Sequence, residues 1–190
     1  MIVGDMGNNN YAFIDSQNLN LGVQKVGWKM DWRKFREWLR DQYGVSKAYM
    51  FIGHMPEYEP LYDQMHDAGY LVVLKPTMDT NKMLHPDQDA NAKEKAPDEK
   101  KPAVKGNTDA DMVLWTMREY PNYDKAIIVT GDGDFFSLIE YLDQQGKLGH
   151  VMTPNWQYSS LLKMFDKYVI RLDQHRRELA YRDRPKKANG

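Results

Sequence analysis

The sequence predicts an α/β domain in three layers, with a mainly parallel central sheet covered by helices on both faces. Short runs rich in β-branched and aromatic residues alternate along the chain with segments of helical period, which is the pattern of βαβ units. The length of 190 residues and the 42% hydrophobic content suit one core with some chain left over.

The first ten residues, MIVGDMGNNN, have neither a basic start nor a long apolar stretch, so they read as a loose leader and not as a secretory signal. The first strand is expected over Tyr11–Asp15, where YAFID stays apolar up to its final aspartate. Trp32, Phe35, Trp38 and Leu39 then mark one apolar helix face, with Asp31 placed to cap its start. Strands over Lys47–Ile52 and Tyr70–Lys75 flank a second helix, marked by Leu61, Tyr62 and Met65 and stopped by Gly69. A third helix opens near Thr108, whose hydroxyl is positioned to cap it, and its acidic first turn suits the positive helix end. The strand Lys125–Thr130 leads into a helix over Phe135–Leu142 that ends before Gly146. Strands over His150–Met152 and Tyr168–Leu172 complete the sheet, and Ser159 and Ser160 open a helix between them.

Residues 76–104 break this rhythm, being rich in Lys, Asp, Glu and Pro with almost no large apolar side chains. A connection of that length reads as a mobile charged loop, either a solvated insertion or a flap over substrate. The domain is expected to span 11–172, leaving 173–190 as a basic tail. That tail carries Arg176, Arg177, Arg182, Arg184, Lys186 and Lys187 against Glu178 and Asp183 in its HRRELAYRDRPKK stretch. It is either a soluble end or a phosphate contact, and Arg176 and Arg177 are its candidates for the latter.

A formal charge of −1 and a pI near 6.5 provide no global attraction to nucleic acid, so phosphate binding would need local basic groups or bound cations. The absence of cysteine removes disulfides, thiolate zinc sites and thiol catalysis together, and suits a reducing compartment, with the cytoplasm as the expected one. Apolar runs are strand-sized, such as Tyr70–Leu74, against the roughly 20 residues that span a bilayer, so no membrane span is expected. Monomer and homodimer both remain open.

The chemistry lies in the acids. Asp15 ends a strand, and ligands bind outside the carboxyl ends of strands in open α/β sheets. KAIIVTGDGDF ends the same way, delivering Asp132 and Asp134 with glycines that let the backbone turn tightly. KGNTDADMVLWTM sets Asp109 and Asp111 at the start of a helix. Residues two apart on a helix point to nearly opposite sides, so both can face one ion only if Asp109 sits at the non-helical start; Asp109 ranks first. Taken singly, each acid is most simply a helix cap or turn residue. Taken together, converging carboxylates repel and resist joint ionisation unless a cation compensates, and an all-aspartate oxygen set suits magnesium.

FIDSQN, then KGNTDAD before a helix, then VTGDGDF, resembles in order and spacing the NYN domains of the PIN-like nuclease superfamily. The resemblance covers Tyr11 to about Leu172. It implies a PIN-like fold in which Asp15, Asp109, Asp132 and Asp134, with Asp111 as helper, hold divalent metal, Mg2+ or Mn2+, for ribonucleolytic cleavage. It makes RNA, in single-stranded form, the expected partner. Asn18 matches the asparagine of the first motif, where it would orient Asp15 or a metal-bound water, or simply cap the loop. Lys105 matches the motif lysine, a candidate for phosphate contact or for softening carboxylate repulsion. Ser159 is a further candidate for phosphate at a helix start, and Trp156 and Tyr158 for base stacking. Ser16 and Gln17 stand where glycine or glutamate is common, and Thr108 where valine is, which bears on substrate preference and leaves the acids intact.

Three other readings compete. GDGDF is also similar to the GDG motif of haloacid-dehalogenase-type phosphatases, but Gln17 stands where the second aspartate of their nucleophilic DxD would be. Asp87, Asp89 and Asn91 have the spacing of an EF-hand, yet Ala92 replaces its glycine and Asp98 its glutamate. The rival from another class is a non-catalytic RNA or protein adaptor that keeps the acidic pocket. His54, His66, His85, His150 and His175 show no paired ligand spacing.

Overall fold

The structure, a computed structural model, describes residues 9–54, 59–76 and 108–182, with the side chains of residues 54, 59 and 76 left out. The start of the leader, the charged segment from 77 onward with the EF-hand-like run and Lys105, and the tail from 183 with Arg184, Lys186 and Lys187 lie outside the described residues.

The sheet comprises β1 (Asn10–Asp15), β2 (Val45–His54), β3 (Leu71–Pro76), β4 (Ala126–Val129), β5 (Leu148–Thr153) and β6 (Val169–Arg171). Their order is β3-β2-β1-β4-β5-β6, and every neighbouring pair runs parallel. The helices are α1 (Ser16–Lys25), α2 (Trp32–Tyr43), α3 (Glu59–Asp67), α4 (Asp109–Arg118), α5 (Phe136–Gln144) and α6 (Arg176–Leu179), with 3-10 turns at Gly133–Phe135, Ser160–Tyr168 and Leu172–His175. This is the three-layer α/β architecture expected of the sequence.

Alternation along each central strand builds two cores. Ala12 and Ile14, Ala48 and Met50, and Ile127 and Val129 face one side, where Leu19 and Val23 of α1, Phe35, Trp38 and Leu39 of α2 and Met65 of α3 cover them. Tyr11 and Phe13, Tyr49 and Phe51, and Ala126 and Ile128 face the other, covered by Met112 of α4 and Leu138, Ile139 and Leu142 of α5. Burial on both faces is the reason these strands read as continuous apolar runs and not as alternating ones.

The ends of the elements follow local chemistry. Asp31 caps α2 as expected, its Oδ1 accepting from Lys34 N at 3.2 Å. Gly44 closes α2 at φ 62°, and β2 begins immediately at Val45, two residues before the expected Lys47. Gly69, at φ 90°, stops α3 as predicted. Thr108 corrects an expectation: it precedes α4 but its hydroxyl makes no cap hydrogen bond, and the residue is buried. The 3-10 turn at Gly133–Phe135 delays α5 to Phe136, and the segment opened by Ser159 is not one helix but 3-10 turns broken by a kink at Phe165. Among the described residues no helix is long and apolar enough to cross a membrane.

Candidate functional site

The strand order reverses between β1 and β4: the chain runs outward from β1 through β2 to β3, then returns to the other side of β1 with β4. Loops leaving the carboxyl ends of two such strands diverge and open a crevice, which is where open α/β sheets bind ligands. Asp15 ends β1 at one lip of this crevice, and Thr130 to Asp134 follow β4 at the other.

Hydrogen bonds tie the two lips together. Asp15 Oδ1 accepts from Asn18 N at 3.0 Å and so caps α1. Its other oxygen, Oδ2, accepts from Thr130 Oγ1 at 3.2 Å, and Thr130 Oγ1 in turn accepts from Asp132 N at 3.2 Å. Asn18 Oδ1 accepts from Gly131 N at 2.8 Å. Asp132 Oδ1 accepts from Asp134 N at 3.0 Å, capping the 3-10 turn. Ser16 Oγ anchors the same corner on the far side by donating to Phe51 O at 2.7 Å. Asp15 and Asp132 are therefore caps, as the simplest reading of single acids has it, and they are also neighbours.

Electrostatics mark Asp15 as the centre of the group. It is only 6% exposed, and burial pushes its carboxyl above the usual carboxylate range. The hydrogen bonds from Asn18 N and Thr130 offset that rise only in part, and the negative charges of Asp109 and Asp132 add to it. Three motifs far apart in sequence thus bring acids within electrostatic reach of one another. Asp134 is exposed at the rim. The helix α4 already includes Asp109, and the two acids of its first turn part as helical geometry requires: Asp109 acts on Asp15, whereas Asp111 pairs with Lys75 of β3 at 3.2 Å.

A loop from β5 closes the crevice from the side. Ser159 N donates to Gly131 O at 2.9 Å, and a Cβ on Gly133 would lie 2.4 Å from Ser159 Oγ, so Ser159 packs directly on the acidic turn. The Oγ accepts from Leu161 N at 3.4 Å, an ordinary cap. Arg176 is placed elsewhere, donating from Nη2 to Gly27 O at 2.8 Å, and Arg177 O accepts from Arg182 Nη2 at 3.0 Å on the exposed surface.

Thr130 is the residue that motif reading missed. A hydroxyl directly after an apolar strand and before a Gly-Asp turn was the available signal, because such a side chain can reach both backbone and neighbouring strand. Thr130 is fully buried, and Thr130→Val would leave both Asp15 Oδ2 and Asp132 N short of a partner. A loss of about 1–3 kcal/mol is expected, read as a fall in melting temperature of about 2–4 °C per kcal/mol. Thr130→Ser should largely escape it. Equal melting of Val and wild-type proteins would show that the bridge carries no weight.

Fold and site together define the class as a parallel α/β protein with an acidic group at the switch point of its sheet, and comparison with known proteins gives the family. The NYN domain profile matches residues 11–173, and the chain belongs to the NYN domain family. Family membership places it among nuclease-like, RNA-related proteins. It is 27% identical over 165 residues to the "Low amplitude and bright protein LabA" of Synechococcus elongatus, an alignment covering 83% of this chain and 80% of that protein. A crystal structure of VPA0982, a Vibrio parahaemolyticus protein of unknown function, superposes with a TM-score of 0.67 at 20% identity, covering 92% of this chain and 98% of that one; the likeness is one of fold.

Proposed function

We propose that this chain is a divalent-metal-dependent nuclease that hydrolyses RNA phosphodiester bonds in the crevice between β1 and β4, on a catalytic domain spanning 11–172. The observation that supports this best is a buried carboxylate, Asp15, at the switch point of the sheet under the repulsion of two further acids. A fold that needs only helix caps at these positions has no reason to bring them together, and a bound cation turns the repulsion into attraction.

The donor set fits magnesium or manganese. Among the described residues no three acidic or histidine side chains stand close enough to enclose an ion unaided. Magnesium does not ask for that: it keeps several waters and is commonly held by one or two carboxylates together with substrate phosphate. Asp15 and Asp132 would hold it, with Asp109 beside them and Asp134 at the rim. When bound, such an ion supplies an activated water and neutralises charge on the phosphoryl oxygens.

The chain's own residues supply position. Thr130 and Asn18 fix the two lips relative to each other, so the carboxylates are oriented before substrate arrives. Ser159, packed on Gly133, offers its hydroxyl at the side of the crevice as a phosphate contact. Lys105 and Asp111 are candidates for substrate or metal on motif grounds, and Arg177 is a candidate for phosphate on the positive charge of the tail. A single strand suits the crevice better than a duplex, since a strand can bend its backbone to the acids.

The test is direct. The purified chain, given end-labelled single-stranded RNA with Mg2+ or Mn2+, is expected to shorten it, and EDTA is expected to stop the reaction. RNA recovered at full length in every metal condition would overturn the proposal, as would cutting that survives the chelator.

A further inference from the structure

A second concave site lies at the far end of α1 from Asp15 and is joined to the acidic crevice by the loop that follows β5. It is a cavity of about 400 Å³, within the range of small-ligand pockets. Its walls include Lys25 at the end of α1, Trp28, Trp156 and Gln157 of the β5 loop, Asp173, and Arg176 of α6. None of the four motif aspartates belongs to it.

Its chemistry is specific. Trp156 is 54% exposed, an unusual state for the largest side chain unless something covers it. Its ring is held in place by the Arg171 guanidinium, 5.8 Å from the ring centroid, and Arg171 is itself fixed by a two-pronged pair with Asp173 at 3.1 and 2.6 Å. That pair neutralises Asp173, which leaves Lys25 and Arg176 as the net charge on the rim. Arg176 is positioned there by its bond to Gly27 O. Trp28 contributes a buried indole Nε1 that lacks a hydrogen-bond partner among the described residues. The Gln157 side chain brings both a donor and an acceptor.

An exposed ring plus two cations plus an amide is the donor set that recognises a base with its phosphate. We propose that this cavity is a nucleotide subsite, in which one base of a single-stranded RNA stacks on Trp156 while its phosphate meets Lys25 and Arg176. The inference rests on reading the neighbouring crevice as a nuclease site, because the same short loop serves both. Ser159 of that loop packs on Gly133, and Trp156 stands three residues earlier, a reach of about 10 Å along the chain. Asn155 braces the loop between them, donating to Gly22 O at 2.7 Å and accepting from Gln157 N at 2.6 Å. A strand held at the acids would therefore run onto Trp156.

The experiment measures binding apart from cutting. A fluorescein-labelled ten-nucleotide oligouridylate is titrated with the full chain in EDTA, and anisotropy gives Kd. Trp156→Ala is expected to weaken binding about tenfold, on the order of 1.4 kcal/mol, whereas Trp156→Phe, which keeps a stacking face, stays within about threefold. Lys25→Ala is expected to reduce the slope of log K against log salt by about 0.7, the loss of one phosphate contact. Equal Kd for wild type and Trp156→Ala overturns the subsite, as does an oligonucleotide that fails to bind the wild type. Cutting is scored separately with Mg2+. Trp156-dependent binding without cutting removes the nuclease reading and supports the subsite, and cutting with Trp156-independent binding does the reverse.

Discussion

Asp15→Asn is expected to reduce RNA cleavage by about a thousandfold or more and, without metal, to raise the melting temperature of the protein. The two effects have one cause. Burial and the neighbouring charges of Asp109 and Asp132 push the Asp15 carboxyl above its ordinary value of 3.8. Between 3.8 and that raised value the folded chain keeps a proton that the unfolded chain has released, so metal-free stability falls as pH rises through this window. Asparagine removes the titration and keeps the shape: its oxygen can accept from Asn18 N and its amide can donate to Thr130 Oγ1. The variant should melt higher at neutral pH, by about 2–4 °C for each kcal/mol of relieved repulsion and desolvation, and its stability should not fall across the window. Metal added to the wild type should raise its melting temperature by mass action, and the variant should lose most of that rise. Asp132→Asn is expected to lose cleavage as well but to gain less stability, because Asp132 is only half-buried. Thermal melts with and without Mg2+, set beside the cleavage assay, separate these outcomes. A variant that cuts at the wild-type rate would remove Asp15 from the chemistry.

The strands were legible because burial on both faces makes them unbroken apolar runs, as in Tyr11–Ile14 and Ala126–Val129. The acids were legible because strand ends and Gly-Asp turns are local features. The helix α1 was not, since SQNLNLGVQK holds only Leu19 and Val23 on its buried face and carries a glycine and two asparagines that favour turns. Its start is set instead by Asp15, a strand residue acting as the cap. The division of labour between Asp109 and Asp111 followed from helix geometry alone, but the partner that draws Asp111 away, Lys75, is a strand residue brought near only by the fold. Thr130 was hidden for the same reason: its two partners, Asp15 and Asp132, meet it only when β1 and β4 lie side by side. The Trp156 cavity draws on α1, the β5 loop and α6, and no window of sequence contains all three.

Gly22→Ala is expected to lower the melting temperature by about 4–8 °C, against the sign that helix propensity assigns. In the middle of a helix, alanine is ordinarily better than glycine by about 1 kcal/mol. Here the added methyl would stand 2.4 Å from Pro154 Cβ and 2.7 Å from its Cγ, and a proline ring cannot rotate aside. The loop-side partner is equally fixed: Gly22 O accepts from Asn155 Nδ2, and Asn155 is buried. Overpacking costs about 1–3 kcal/mol after relaxation, and a 2.4 Å approach to a rigid ring takes the upper end, which leaves about 2 kcal/mol of net loss after the propensity gain. The displacement should not stay local. A Cβ on Gly131 would lie 3.4 Å from Pro154 Cδ and 3.3 Å from Tyr158 Cβ, so the loop that α1 pushes away is the one resting on the acidic turn. Cleavage is therefore expected to fall with stability, by about tenfold to a hundredfold, since a shift of about 1 Å at reacting groups has effects of that size. Pairing Gly22→Ala with Pro154→Gly, which deletes both clashing carbons, should recover much of the lost melting temperature. A single variant that melts at or above wild type would show that α1 and the β5 loop do not approach this closely, and the mechanical link between helix, loop and acids would fail with it.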